Sequence, residues 1–363
     1  MRCLIDPSDP PCPVCAYSLS FPPHLNPNYR CNSSLLIDYN CRSDATHKYI
    51  LIDAGKTFRE TALRWFVFHH IPRVDSLQIV LTHEHADAVL GLDDVLAMQP
   101  FSLTNDTDPI PVYLTQHSMD SVEKRFPYLV KKKHKEGQEM RRVAQLCWNI
   151  IADDCNGPFF ASGLKLIPLP VMHGEDYICL GFLFGEKNRV AYISDVSRIP
   201  ASIEYVISKS GAGQTGQLDL LILDALEKVR ASIFISCQRT GSPNVHFCLP
   251  QTLETVKRLC PKQTLLIGMN HKFDHHKDNE FLMEWSRRYT SHISKKSKTL
   301  TAKNRFFFHT YKFFFLPKHN FFHYLSIHAC LLFIEGTKFI LCFKKKKIAK
   351  PIEFRSLQPE YLS

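Results

Sequence analysis

Short apolar runs rich in β-branched and aromatic residues recur along the chain, each bounded by polar or turn-forming residues, and predict strands. Residues 34–39 and 49–53 predict two strands that pair as a hairpin across a polar turn. Asp53-Ala54-Gly55 closes the second, and a helix is expected over 57–68 with Phe58, Leu63 and Phe66 on its apolar face. Ile79-Val80-Leu81 reads as a buried strand. After it come a short helix at 92–98, a short strand at 112–114 and a helix at 118–126. Farther on, residues 164–169, 178–184 and 189–193 predict three strands, the last two turning at Gly185-Glu186-Lys187-Asn188. A strand at 218–224, a helix at 251–259 and a strand at 264–267 follow. Strands alternating with helices place the chain in the α/β class, with apolar content ample for a core.

What these strands run into changes the picture from architecture to chemistry. Ile79-Val80-Leu81 empties into Thr82-His83-Glu84-His85-Ala86-Asp87, where two imidazoles two positions apart and a carboxylate can reach one cation. The competing reading is a pair of surface histidines that happen to alternate. Cys12-Pro13-Val14-Cys15, read as a proline-held loop, offers two thiolates, half of a tetrahedral zinc site. Asp53 before Ala54-Gly55 reads equally as a plain turn or as a pocket residue.

Charge narrows the partners. The formal net charge is +10, but residues 289–363 hold fourteen Lys or Arg against three Asp or Glu, leaving 31 against 32 for residues 1–288. The body therefore has no electrostatic footprint of a nucleic-acid binder. The short run Lys131-Lys132-Lys133-His134-Lys135 reads as a solvated face. Thirteen scattered cysteines fit a reducing compartment, and no targeting peptide opens the chain, so a cytoplasmic location is expected. After Trp285-Ser286-Arg287-Arg288 the composition shifts to Phe306-Phe307-Phe308, Phe313-Phe314-Phe315 and Lys344-Lys345-Lys346-Lys347, residues of A/T-rich codons such as read-through of non-coding sequence would give. This stretch, 289–363, is expected to lie outside the fold, with 1–288 forming the domain. A rival reading makes 321–343 a membrane anchor, but Glu335, Lys338 and two histidines interrupt it, and a central charge costs about 2.5–3.5 kcal/mol.

The run from Thr82 to Asp94, including Gly91-Leu92-Asp93-Asp94, resembles the His-x-His-x-Asp-His signature of the metallo-β-lactamase-fold hydrolases. It looks most like their PhnP-like cyclic phosphodiesterase branch and its plant relatives. The resemblance implies an αββα sandwich of two mixed β-sheets with helices outside, here lacking its first and last strands. It implies His83, His85, Asp87, His173 and Asp195 as ligands of a catalytic zinc or manganese, with Asp195 shared between two metals. His246 matches the general acid and Asp87 shares the catalytic work, although the stretch 229–239 before His246 reads as an insertion. Cys3, Cys12, Cys15 and His271 are implied as a structural zinc site. Two departures stand out: Ala88 replaces the signature's last histidine and Gly268 replaces a later one, and both fall on the second metal. If a second cation binds, Asp87, Asp195 and water would have to hold it.

The implied reaction is attack of metal-activated water on a small, cyclic phosphodiester, with His246 protonating the leaving oxygen. Thioester, lactam and RNA hydrolysis on the same fold remain open, as do a non-catalytic metal-binding scaffold and a homodimer.

Overall fold

The predicted hairpin forms from β1 (Leu35–Asn40) and β2 (His47–Ile52), antiparallel, with Leu35 opposite Ile52 and Asn40 opposite His47. The sheet then continues in parallel through β3 (Leu77–Val80), β4 (Ile110–Leu114) and β5 (Leu146–Ile150). A second sheet is built from β6 (Phe159–Ala161), β7 (Leu164–Met172), β8 (Ile178–Phe184), β9 (Val190–Ile193), β10 (Leu220–Asp224) and β11 (Gln263–Ile267), in the order β11-β10-β9-β8-β7-β6. Strands β6 to β9 are antiparallel neighbours, and β9, β10 and β11 are parallel. Consequently β7, β9, β10 and β11 all point the same way.

The computed structural model describes residues 12–296 except 23–25, 41–46, 68–70, 72–76, 103–105, 132–141, 187, 210–216 and 229–244, and also 330–334 and 337–341. Its helices are α1 (Pro13–Ser20), α2 (Phe58–Thr61), α3 (Ala86–Val89), α4 (Gln116–Arg125), α5 (Pro127–Val130), α6 (Ala201–Lys209), α7 (Leu249–Leu259) and α8 (His275–Lys296).

Two-residue periodicity explains the layering. Leu35, Ile37, Ile50, Ile52 and Val80 pack against Phe182, Tyr192, Leu220, Ile222 and Ile267, forming the core between the sheets. Their neighbours Leu36, Leu51 and Ile79 face the other way, onto Trp65, Val89 and Val122 of the outer helical layer. On the second sheet Ala191, Ile193, Leu221 and Leu223 likewise pack on Ile203, Ile207, Leu253 and Val256. Both faces of each sheet are buried, which is why the strands read as continuous apolar runs rather than clean alternations. The result is a four-layer αββα sandwich.

Several expectations need correction. Leu63 is 66% exposed, and the helix at 57–68 buries Phe58, Trp65 and Phe66 instead. Five residues from Phe58 is about 140° around a helix, off its face, whereas seven and eight return to it. The helix also widens to a π-turn over Ala62–Phe66. Residues 289–363 are not wholly outside the fold. Helix α8 continues to Lys296, and β12 (Cys330–Ile334) and β13 (Thr337–Leu341) form a hairpin whose second strand pairs with β1, Leu35 opposite Leu341 and Asp38 opposite Lys338. An edge strand with unpaired backbone groups takes up a strand of matching register, and β1 has such an edge. Among the described residues no helix is long and apolar enough to cross a membrane.

The turn after β2 is locked onto the loop after β3. The Ala54 N–H donates to the Ala88 carbonyl and the Gly91 N–H to the Ala54 carbonyl, both at 2.7 Å. A β-carbon on Gly55 would fall 1.8 Å from the Asp87 carbonyl oxygen. Gly55→Ala is therefore expected to lower stability by about 1–3 kcal/mol or more through overpacking, read as a lower midpoint of thermal unfolding.

Candidate metal centre

Strands β3, β7, β9, β10 and β11 deliver their carboxyl ends to one edge of the sandwich. There the chain leaves regular structure and side chains can converge. His83 and His85 follow β3, His173 follows β7, Asp195 follows β9, and Asp224 ends β10. One ligand atom from each of His83, His85, His173 and Asp195 lies within 4.8 Å of all the others. The His83 Nε2 to Asp195 Oδ2 distance is 3.3 Å, and that from His173 Nε2 is 3.9 Å. Asp87 stands to one side of this group, half-exposed, with Oδ1 3.9 Å from His83 Nε2.

The outer nitrogens of two imidazoles are held from behind. His173 Nδ1 is 2.6 Å from the Val245 carbonyl, so it carries the proton and donates it there. His83 Nδ1 is 2.8 Å from the Thr82 hydroxyl, which donates to the Asp53 carboxylate at 2.9 Å. With Nδ1 donating, each Nε2 presents a lone pair inward, as a ligand must. Among the described residues His83 Nε2 is buried and completes no hydrogen bond. Burial opposes a charge on His83, yet the Cys179 sulfur and the Asp195 carboxylate raise its pKa. Asp195 in turn is held below its ordinary value by His83, against the effect of burial. An orphaned lone pair and a field that favours positive charge fit a divalent cation bound by three histidines and an aspartate.

Asp53, left open between turn and pocket residue by the sequence, is the buried end of that relay, at φ 64°. Burial pushes its carboxyl up to about 7.

His246 stands beside this group, its ring centroid 4.7 Å from that of His173. Its Nδ1 lies 2.8 Å from Oδ2 of Asp224, a fully buried carboxylate. Burial pushes Asp224 up to about 6; against its own burial, His246 is raised by Asp224. The sequence marked Asp224 as an acid ending a strand but gave it no partner. A cavity of about 270 Å³ opens here, lined among others by Asp87, Asp195, Asp224, His246, Ser33 and Gly268.

The two departures from the signature take on a physical meaning. Gly268 sits at φ 76°, where a β-carbon would lie 2.7 Å from Asp224 Oδ1. A histidine there would collide with the carboxylate that holds His246. Ala88 is buried in the outer core among Val89 and Leu92. Neither position offers a ligand.

The residues implied for structural zinc also meet. His271 Nδ1 is 3.3 Å from Cys15 Sγ and 3.5 Å from Cys12 Sγ. Only Cys12 stays in the loop, as the residue before α1; Pro13 opens the helix, since a missing N–H costs nothing in a first helical turn, and Cys15 lies within it. Cys12 and Cys15, three apart, thereby share one side. Against the opposing effect of burial, hydrogen bonding from the Cys15 backbone and His271 pulls the Cys12 thiol down to about 7. Cys3 lies outside the described residues, as does the 229–239 stretch. With zinc on this trio, His271→Ala is expected to remove one equivalent of tightly held zinc per chain while leaving the His83 site loaded, as elemental analysis of the purified variant would show.

The family model of the beta-lactamase superfamily domain matches residues 48–269. Among solved structures, a diphosphatase from the PhnP family superposes with a TM-score of 0.53 at 27% identity, covering 74% of this chain and 83% of that one. The short form of human tRNase Z gives a TM-score of 0.45 at 15% identity, over 65% of this chain and 85% of that one. A curated relative, an octanoyltransferase of Porphyromonas gingivalis, is 28% identical over 232 residues, 64% of this chain. The chain spans only 39% of that relative's length.

Proposed function

Since the chain belongs to the beta-lactamase superfamily, a hydrolase family of the metallo-β-lactamase fold, we propose that it is a metal-dependent hydrolase of small phosphodiesters. The observation that carries this reading is the placement, side by side, of a convergent His83, His85, His173 and Asp195 set and of His246, whose ring centroid is 4.7 Å from that of His173 and whose Nδ1 is backed by the buried Asp224 carboxylate. Similarity to a diphosphatase of the PhnP family supports a phosphorus centre as the target. A cavity of about 270 Å³ suits a small molecule, and the near-neutral body lacks the basic surface a polynucleotide would call for.

When bound, a divalent zinc or manganese supplies a water of lowered pKa and polarises a phosphoryl oxygen. The protein's own residues do the rest. Asp224 accepts the Nδ1 proton of His246, stabilising the imidazolium and turning Nε2 toward the cavity. His246 then gives its Nε2 proton to the departing alkoxide as the P–O bond breaks. Asp87, half-exposed on the cavity wall, has the room to accept the proton released by the attacking water.

The test is hydrolysis of a chromogenic phosphodiester by the full chain, titrated with manganese or zinc, beside a thioester and a phosphomonoester. Metal-dependent turnover of the diester alone is expected. Failure of a folded, metal-loaded chain to cleave it, with turnover of the thioester, would replace this substrate class by the other.

A further inference from the structure

The three histidines of the candidate metal centre are not equally supported. His83 and His173 each have the outer nitrogen fixed by a hydrogen bond, to Thr82 and to the Val245 carbonyl. His85 has no such bond among the described residues, and it is the most exposed of the four. What lies against it is the Tyr177 ring, parallel within 13° at a centroid distance of 5.0 Å. The Tyr177 carbonyl also accepts the His173 N–H at 2.8 Å. One residue therefore touches a ligand from the first sheet and a ligand from the second.

Tyr177 is itself anchored. Its hydroxyl is buried, and the His117 ring stands edge-on to its own with centroids 6.0 Å apart. The Glu84 carboxylate is buried between the two ligand histidines in sequence. His117 Nε2 lies 3.3 Å from its Oε1, and the Ser118 hydroxyl donates to Oε2 at 3.5 Å. The Glu84 carbonyl accepts from Arg125 at 2.6 Å. His117, Ser118 and Arg125 all belong to α4, so the helix grips the residue between the ligands and, through His117, meets the aromatic ring.

We propose that Tyr177 is a positioning residue for the metal centre: its ring sets the plane of His85, its backbone sets His173, and α4 packs against that ring through His117. Offset stacking here takes the place of the missing hydrogen bond on His85. The inference rests on a metal at the four-residue site, as the proposed function does, but not on the substrate.

Cobalt(II) is a suitable probe, titrated into the metal-free full chain and followed by visible absorbance and chelator competition. Tyr177→Leu is expected to weaken cobalt affinity about 10–100-fold and to alter the absorption bands, the range found when a group supporting a ligand is lost. Tyr177→Phe keeps the ring and is expected to bind within a few-fold of the parent. Near-ultraviolet circular dichroism checks that each variant is folded. Parent-like affinity and spectrum in Tyr177→Leu overturn the proposal, as does equal damage in Tyr177→Phe, which would put the effect on the hydroxyl. Because no substrate is present, inactivity toward phosphodiesters leaves this result standing.

Discussion

His83→Ala is expected to empty the metal centre and to reduce metal-dependent turnover at least about a thousandfold. The size follows from what the metal supplies: several kcal/mol of transition-state stabilisation, at about 1.4 kcal/mol for each factor of ten. His83 is the change to choose because its Nε2 is buried, completes no hydrogen bond among the described residues and lies 3.3 Å from the Asp195 carboxylate. Removing it also leaves a buried Asp195 carboxylate without the imidazole that lowers its pKa, so the variant should lose stability as well as metal. Metal analysis, kcat/KM and thermal unfolding of the same preparation separate the two losses. Unchanged metal content at this site would remove the assignment.

His246→Ala should behave differently, keeping its metal while losing about 10²–10⁴ in kcat on a diester with an alkyl leaving group. On a nitrophenyl diester the loss should be much smaller, because nitrophenolate departs without a proton. Equal losses on both substrates would show that His246 is not the proton donor. Asp224→Asn supplies the pH signature. Asp224 raises the pKa of His246, and the acid form of His246 disappears as pH rises through that value. Without the carboxylate the alkaline limb of kcat should move to lower pH.

The four candidate ligands were legible because each sits at a strand end, where a periodic apolar run stops and a chemically distinctive residue begins. His83, His85, His173 and Asp195 all have this form, and the fold brings those ends to one edge. Less was visible where partners are distant or chemically plain. Nothing local says that Asp224 holds a histidine 22 positions on, or that Thr82 relays His83 to Asp53. Tyr177 looks like an ordinary aromatic between two acidic residues and a strand. Helix α8 was missed although Leu282, Trp285 and Tyr289, spaced three and four apart, pack on the second core. There the apolar stripe was simply narrow among many charged residues. The tail hairpin could not be foreseen, since register against an open edge depends on a strand 300 or more positions earlier.

An ion on Cys12, Cys15 and His271 would join positions 256 apart and turn most of the domain into a closed ring. A protease cutting once anywhere inside that ring would produce two fragments that stay tethered. The core between the sheets and the ion would both hold them, so a nicked preparation would pass for intact protein in a native gel and show its break only under denaturing conditions with a chelator present.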